Sequence, residues 1–434
     1  MYRHNAESSF CFINRLNGAP NDELQQTGEH EPTSALLSYC KHKFLRPYTL
    51  ILSVVGLNPI STDMSPVRAC CSYVQALVVL CVLLLGYLLR YLCGYRGDRG
   101  FNSYRDIRPY SLESSDGANA TTNTIGELLF GYVVPSSLNL LGFGAAVFIC
   151  KIVDHEQLQN LIERVFLMSA KPKRLCRMLW LFLGVAFALL LLLFAYACCV
   201  VLMQPEQIIK VAWLAAMLQE WEACLRASLL CTILLQNLVE VIILSSYYIE
   251  CYLLRVHLQA LSHKLLMHSI DSLDWMREVL EFRKLLERLN QHVAIPVCFL
   301  IVMNLAYAFA GLVYLFKDFD FHYCALKLVL LNIANVMLWL FLGLLPFFVA
   351  ASVTRVCQSA QANGHQIRVR PFVYHNTSAE DLNSTLLFAS SLDMSAKLFR
   401  MPIQPNYLCF AILVVALVIL TLGMCLNLTA LGKI

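Results

Sequence analysis

Gln236 and Glu240 stand four residues apart in "TILLQNLVEVIILSSYYI", with Asn237 beside them. At helical spacing the amide and the carboxylate share one face. The surrounding residues are apolar enough for lipid, where a carboxylate needs a partner, a proton or water. Other polar groups recur in equally apolar settings: Asn304 and Tyr307, Asn332 and Asn335, and Asn139 behind Pro135, Ser136 and Ser137. Their chemistry is hydrogen bonding, which leaves two readings. They hold helices to one another, or they line a pocket for a small molecule.

Reaction chemistry finds little support. His257, His263 and His268 step by 6 and 5, spacings that no ligand-bearing helix face requires, and they read as solvated positions. The eighteen cysteines lie mostly in or beside apolar runs as small packing residues and show no zinc-type spacing. No phosphate-binding glycine loop, catalytic cysteine signature or DNA-type basic patch occurs. The expectation is no enzyme, no metal, no cofactor and no nucleic-acid partner.

The elements that position these residues follow from composition. The chain has 434 residues, 58% hydrophobic and 14% charged, against about 25% charged in soluble domains. A helical span needs roughly 20 mostly apolar residues. Runs at 70–93, 126–150, 178–203, 224–251, 293–316, 326–352 and 404–428 meet that length. They lack the alternation of barrel strands, so they must be helices, which satisfy their own backbone groups in lipid. The fold class is an all-α membrane protein with seven transmembrane helices. It comprises a polar region at 1–69 with an amphipathic lead-in, no visible signal peptide, and a seven-span domain at 70–428.

Lysine and arginine flank the spans unequally. The compartment holding residues 40–69 and the second, fourth and sixth loops carries 21, the opposite one 7. The positive-inside rule puts the N-terminus in the cytosol, opposite to a G-protein-coupled receptor. The run Lys171-Pro-Lys-Arg174 then faces anionic lipid. Asn119-Ala-Thr falls outside as a glycosylation acceptor, and Asn376-Thr-Ser and Asn383-Ser-Thr fall inside.

Residues 253–292 are the longest charged connection. Leu254, Leu258, Leu261 and Leu265 step by 4, 3, 4, and Trp275, Val279, Phe282, Leu286, Leu289 and Val293 by 4, 3, 4, 3, 4. Each set makes one apolar seam, with Arg277–Glu281 and Arg283–Glu287 as i,i+4 pairs on the wet side. Ser269–Asp274 is the break, with Asp271 or Ser272 as cap. Spans 4 and 5 thus extend into the cytosol as a helical hairpin. Its seam either closes within the chain or, through Val279, Phe282 and Leu286, anchors neighbouring subunits.

This pattern resembles the insect gustatory receptor family, within the wider seven-transmembrane chemoreceptor group. The resemblance is carried by the lead-in "LLSYCKHKFLRPYTLILSVVGLNPIS" with its turn at Gly56-Leu-Asn-Pro59, the inverted topology, "LLERLNQHVAIPVCFLIVMNLAYAF", and "LLFASSLDMSAKLFRMPIQPNYLCFAILVVALVILTLGM" before the last span. The family's span 7 signature is Thr-Tyr, five apolar residues, then Gln-Phe. Here Thr421 is kept, while Leu422, Leu428 and Thr429 replace Tyr, Gln and Phe, which marks a divergent or gustatory-receptor-like chain.

The resemblance implies a ligand-gated cation channel of the plasma membrane, built as a homo- or hetero-tetramer with related receptor subunits. It implies helical cytosolic extensions of spans 4 to 7 and a central pore lined by span 7 through Leu417, Thr421, Cys425, Leu428 and Thr429. A pocket among spans 1 to 6 would place Asn139, Gln236, Asn237, Glu240, Asn304, Tyr307, Asn332 and Asn335 around a small-molecule ligand. A transporter and a non-conducting scaffold of the same fold are the alternatives.

The charge asymmetry predicts that Asn119 acquires sugar in microsomes while 253–292 remains open to protease from the cytosolic side. Sugar on Asn376 or Asn383 would invert the topology.

Overall fold

The computed structural model describes residues 32–57, 66–98, 100–101, 129–153, 157–169, 171–203, 221–267, 270–317, 326–369, 379–404 and 406. Helices α1 (Pro32–Cys40) and α2 (Arg46–Val54) form the lead-in. They are followed by α3 (Pro66–Cys93), α4 (Val134–Phe148), α5 (Gln157–Met168), α6 (Pro172–Met203), α7 (Glu222–Leu266), α8 (Ser272–Arg288), α9 (Ala294–Lys317), α10 (Leu326–Val369) and α11 (Ala379–Ser391). Two small antiparallel hairpins complete the described chain: β1 (Tyr95–Arg96) with β2 (Gly100–Phe101), and β3 (Lys397–Leu398) with β4 (Met401–Pro402). Among the described residues, six helical stretches are long and apolar enough to cross a membrane. The expected seventh span at 404–428, with Leu417, Thr421, Cys425, Leu428 and Thr429, lies outside the described residues, as does Asn119.

Helix α7 is the mast of the bundle. Its 45 residues make a rod about 65–70 Å long at 1.5 Å per residue, more than twice the roughly 30 Å of hydrocarbon. Helices α3, α4, α5, α6, α8, α9 and α10 all pack on it. Beyond residue 251 it leaves the predicted span and enters a layer built with α5, α8, α11 and the end of α10.

That layer is where the two heptad seams meet. Leu254, Leu258, Leu261 and Leu265 are buried with Trp275, Val279, Phe282, Leu286 and Leu289 in one core. Val279 and Phe282 are 0% exposed and Leu286 3% in a single chain, so the seam closes on its own protomer. The exposed apolar residues of α8 are Leu273 and Leu280. The pairing expected along α8 also changes. Glu281 binds Arg164 of α5, which reaches Glu278 at 2.6 Å as well, while Arg277 approaches Asp274 at 3.8 Å. A cation on a neighbouring helix reaches both carboxylates at once, which an i,i+4 partner cannot do. His257, expected in solvent, is fully buried against the Phe282 ring.

Among the described residues, four single π-helical turns interrupt the helices: Lys41–Leu45, Leu129–Val133, Ile149–Val153 and Leu289–Val293. Three of them stand just before a proline, Pro47, Pro135 and Pro296. Proline has no N–H for the carbonyl four residues back, and its ring crowds that carbonyl. A widened turn relieves both problems: Arg46 N–H donates to Lys41 O and Ala294 N–H to Leu289 O, each five residues back. The chain therefore passes each proline without a break.

Two local devices fix the lead-in and the last connection. Gly56 has φ +75°, and a Cβ there would lie 2.8 Å from the Ala76 backbone, so only glycine lets α2 turn back onto α3. On the far side, Asn290 accepts from Lys397 N–H at 2.7 Å and donates to Ser395 O at 3.0 Å. This clamps the chain ahead of β3 to the Leu289–Val293 turn.

His257 titrates in this layer, outside the predicted span. Burial lowers its pKa to about 4, Arg164 and Lys264 push the same way, and Glu281 opposes them. The neutral form is favoured in the fold, so the stabilisation is complete above the unfolded value of about 6.5 and is lost as pH falls toward 4. Thermal unfolding followed by size-exclusion chromatography should show that loss in the natural chain and less of it in His257→Phe. Phe282→Ala should cost about 3–5 kcal/mol, and Leu280→Ala within about 0.5 kcal/mol.

Candidate functional site

The predicted pocket residues converge around the mast. Asn139, Gln236, Asn237, Glu240, Asn304, Asn332 and Asn335 are all buried, and Tyr307 nearly so. Helix α3 supplies a partner that the sequence reading missed: Tyr87 Oη donates to Asn139 Oδ1 at 2.8 Å. Asn139 Nδ2 points at Met303 Sδ of α9 at 3.6 Å. Gly86 lets α3 approach closely, since a Cβ there would stand 2.9 Å from Gln236 Nε2 and from Thr232 Cβ.

Deeper in, Glu240 faces Asn304. Glu240 is 1% exposed and Asn304 0%. Among the described residues, both amide atoms of Asn304, both of Gln236 and Oε1 of Glu240 lack hydrogen-bond partners. Leaving buried polar atoms unsatisfied costs about 1–3 kcal/mol each. Several such atoms from α7 and α9 face one region, where donors and acceptors could meet a polar guest. The same cluster without a guest would be expensive helix glue. Asn237 and Asn332 are buried as well, on α7 and α10.

Asn335 and Tyr307 belong to a second arrangement at the predicted outer end. The β1–β2 hairpin folds between the helices: Arg96 Nε and Nη2 donate to Asp98 Oδ1 and Oδ2 at 3.0 and 2.9 Å. Both side chains are buried, a bidentate pair that fixes the turn. Asn335 Nδ2 donates to Gly97 O at 3.1 Å and Asp98 O at 3.0 Å, and Trp339 Nε1 donates to Gly97 O at 3.1 Å. Tyr307 lies under Gly97, where a Cβ would meet its ring at 3.0 Å, and stacks near Trp339 at 4.9 Å between centroids. The hairpin is therefore a plug held by α10 and seated on Tyr307. Asn335 serves it as a clamp and keeps only Oδ1 unpartnered. The run "GYRGDRGF" at 94–101 carried the signal for this hairpin, three glycines at turn spacing with opposite charges between them.

Among the described residues, no group of three or more His, Cys, Asp or Glu could hold a metal ion. Val279, Phe282 and Leu286 are remote in sequence and lie in the charged layer, not in this polar cluster.

No protein-family model matches the sequence, and no curated protein matches it. Solved structures do. The insect olfactory receptor OR5 from Machilis hrabei in complex with eugenol is 12% identical, with a TM-score of 0.53 over 92% of this chain and 100% of that chain. A second structure of the same receptor gives 11% identity and a TM-score of 0.48 over 89% of this chain and 99% of that chain. The chain shares the fold of that olfactory receptor, an all-α bundle with membrane-length apolar helices.

The clamp predicts that Asn335→Ala, which removes two hydrogen bonds worth about 1 kcal/mol each, speeds amide exchange of 95–98 by about tenfold or more. Exchange in α8 should stay as it is.

Proposed function

We propose that this chain is a gustatory-receptor-like chemoreceptor, a subunit of a ligand-gated cation channel that detects a small molecule at the plasma membrane. The observation that carries the reading is the buried, unpartnered polar set of Gln236, Glu240 and Asn304, close to the plugged outer end of the bundle. It lies in a fold shared with an olfactory receptor solved with eugenol, an aromatic alcohol. Apolar helix walls with a few convergent polar groups suit a ligand of that kind, mostly apolar with one or two hydrogen-bonding atoms. Glu240 and Asn304 would orient it, and Tyr307 under the hairpin would meet it from above.

Four copies are the proposed assembly, with the last span of each copy lining the pore. Since Val279, Phe282 and Leu286 are buried within one chain, contact between subunits would use the exposed Leu273 and Leu280 of α8. In span 7 a ring of Leu428 would form an apolar constriction, which closes pores by dewetting. That residue favours a second reading, a non-conducting homologue that retains the fold as a scaffold.

Whole-cell recording at matched surface expression, with a panel of small phenols and related apolar molecules, separates these. The natural chain alone should pass little current, and Leu428→Gln should pass ligand-evoked cation current that Glu240→Ala and Asn304→Ala weaken by about tenfold or more in ligand concentration. Silence from Leu428→Gln, with and without a related subunit, would favour the scaffold. Substrate accumulation without current would indicate a transporter.

A further inference from the structure

A cavity of the bundle lies away from the polar cluster. It has a volume of about 90 Å³ and lies at the opposite, predicted cytosolic end, where α2, the end of α4 and the start of α9 meet α7. A single water needs about 10–15 Å³ on this measure, and packed interiors rarely leave more. Its size therefore calls for an occupant larger than one water.

Residues of three π turns stand in the cavity wall. Leu45 comes from the turn Lys41–Leu45, Ile149 and Cys150 from Ile149–Val153, and Val293 from Leu289–Val293, with Pro296 next to it. Three of the four widened turns thus contribute wall residues. Such turns are rare and concentrate at functional sites. Two of them follow from the prolines at 47 and 296; the third has no proline and still joins the same wall.

The walls specify a chemistry. Leucine, isoleucine, valine and alanine make up most of the lining. The polar side is on α7 and α2, where Tyr48 Oη donates to Ser246 Oγ at 2.9 Å and Ser246 Oγ donates in turn to Ile242 O at 2.9 Å. Both hydroxyl protons are used, so this pair offers acceptor lone pairs only. Glu250, one turn further along α7, is the single acidic or basic side chain in the lining, and a carboxylate accepts several hydrogen bonds. Tyr48, Ser246 and Glu250 therefore present acceptors here, to which a carboxylate head, having no proton to donate, cannot bond.

We infer that this cavity is a second binding site, for a neutral amphiphile with an apolar body and a hydroxyl that donates to the Ser246–Glu250 side. Its occupant braces three π turns against one another, at the joint between the charged layer and the spans. The site is independent of the polar cluster and of whether the chain conducts.

The test is photolabelling of the full-length protein in detergent with a diazirine-bearing octanol, mapped by peptide mass spectrometry. Label is expected in the segments 45–57 and 146–158. Excess octanol should compete, while octanoate, which has the same body with an anionic head, should not. Ala146→Phe, which fills the cavity, should reduce labelling there by about tenfold or more; Leu158→Trp is the second filling variant, used where Ala146→Phe does not accumulate as a folded protein. Label spread over lipid-facing residues such as Leu77 and Val78, unchanged by either variant, would overturn the site. Equal competition by octanoate, or protection by phosphatidylcholine as good as that by octanol, would overturn the assigned chemistry and give the cavity to lipid tails.

Discussion

The structure depends on one constraint, that α7 is enclosed by other helices for most of its length. The enclosed part of α7 has little face to offer water or lipid, so a polar side chain there needs its own backbone, another helix or a guest as partner. Gln236, Asn237, Glu240, Ser245, His257 and Ser262 are all buried on it. Some are answered locally, as Ser245 Oγ is by Ile242 O. Others only face the surrounding helices: Asn304 of α9 stands near Glu240 without a well-formed hydrogen bond, and the Phe282 ring of α8 packs against His257. The arrangement of the bundle is in large part the set of placements that bring partners to this one rod.

Much of this was legible in the sequence because membrane helices obey strong rules. The apolar runs, the helical continuation of spans 4 and 5 past the membrane, and the break between Leu266 and Ser272 follow from length, charge and heptad spacing. The buried polar residues were visible for the same reason, since an amide or carboxylate is conspicuous where almost everything else is apolar. What spacing could not tell was the partner of each face. The α8 seam has the same pattern whether it packs on its own chain or on another. Only the placement of α5 and α11 shows that Val279 and Phe282 are already covered, and that Arg164 takes Glu281 from Arg277.

The β1–β2 plug and the role of Asn335 were hidden for a related reason. Asn335 bonds backbone carbonyls more than two hundred residues away. Backbone acceptors carry no side-chain signature, so no residue pattern announces them. The glycines at 94, 97 and 100 marked a turn. The buried Arg96–Asp98 pair lets that turn fold in among α3, α6, α9 and α10 rather than dangle in solvent. An ion pair costs several kcal/mol per charge to bury and repays this only with good geometry. The bidentate bond within one turn supplies that geometry before any helix is reached, so the hairpin can enter the bundle as a neutral unit.

The prolines tie the two ends of the molecule together. Each of Pro47, Pro135 and Pro296 would break a straight α-helix, and each is passed by a π turn instead. A π turn keeps the backbone paired, which lipid and a buried interface both require, but widens the helix and shifts the face that follows it. Where a single such turn occurs the effect is a local bulge. Where three gather at one end of α7, residues of all three line one cavity. The outer end has one, at Leu129–Val133, and there Gly131 leaves room for the Arg96 guanidinium, which a Cβ would meet at 2.9 Å. The same backbone device thus stands at both ends, beside the chain's own hairpin at the outer one and in a cavity wall at the other.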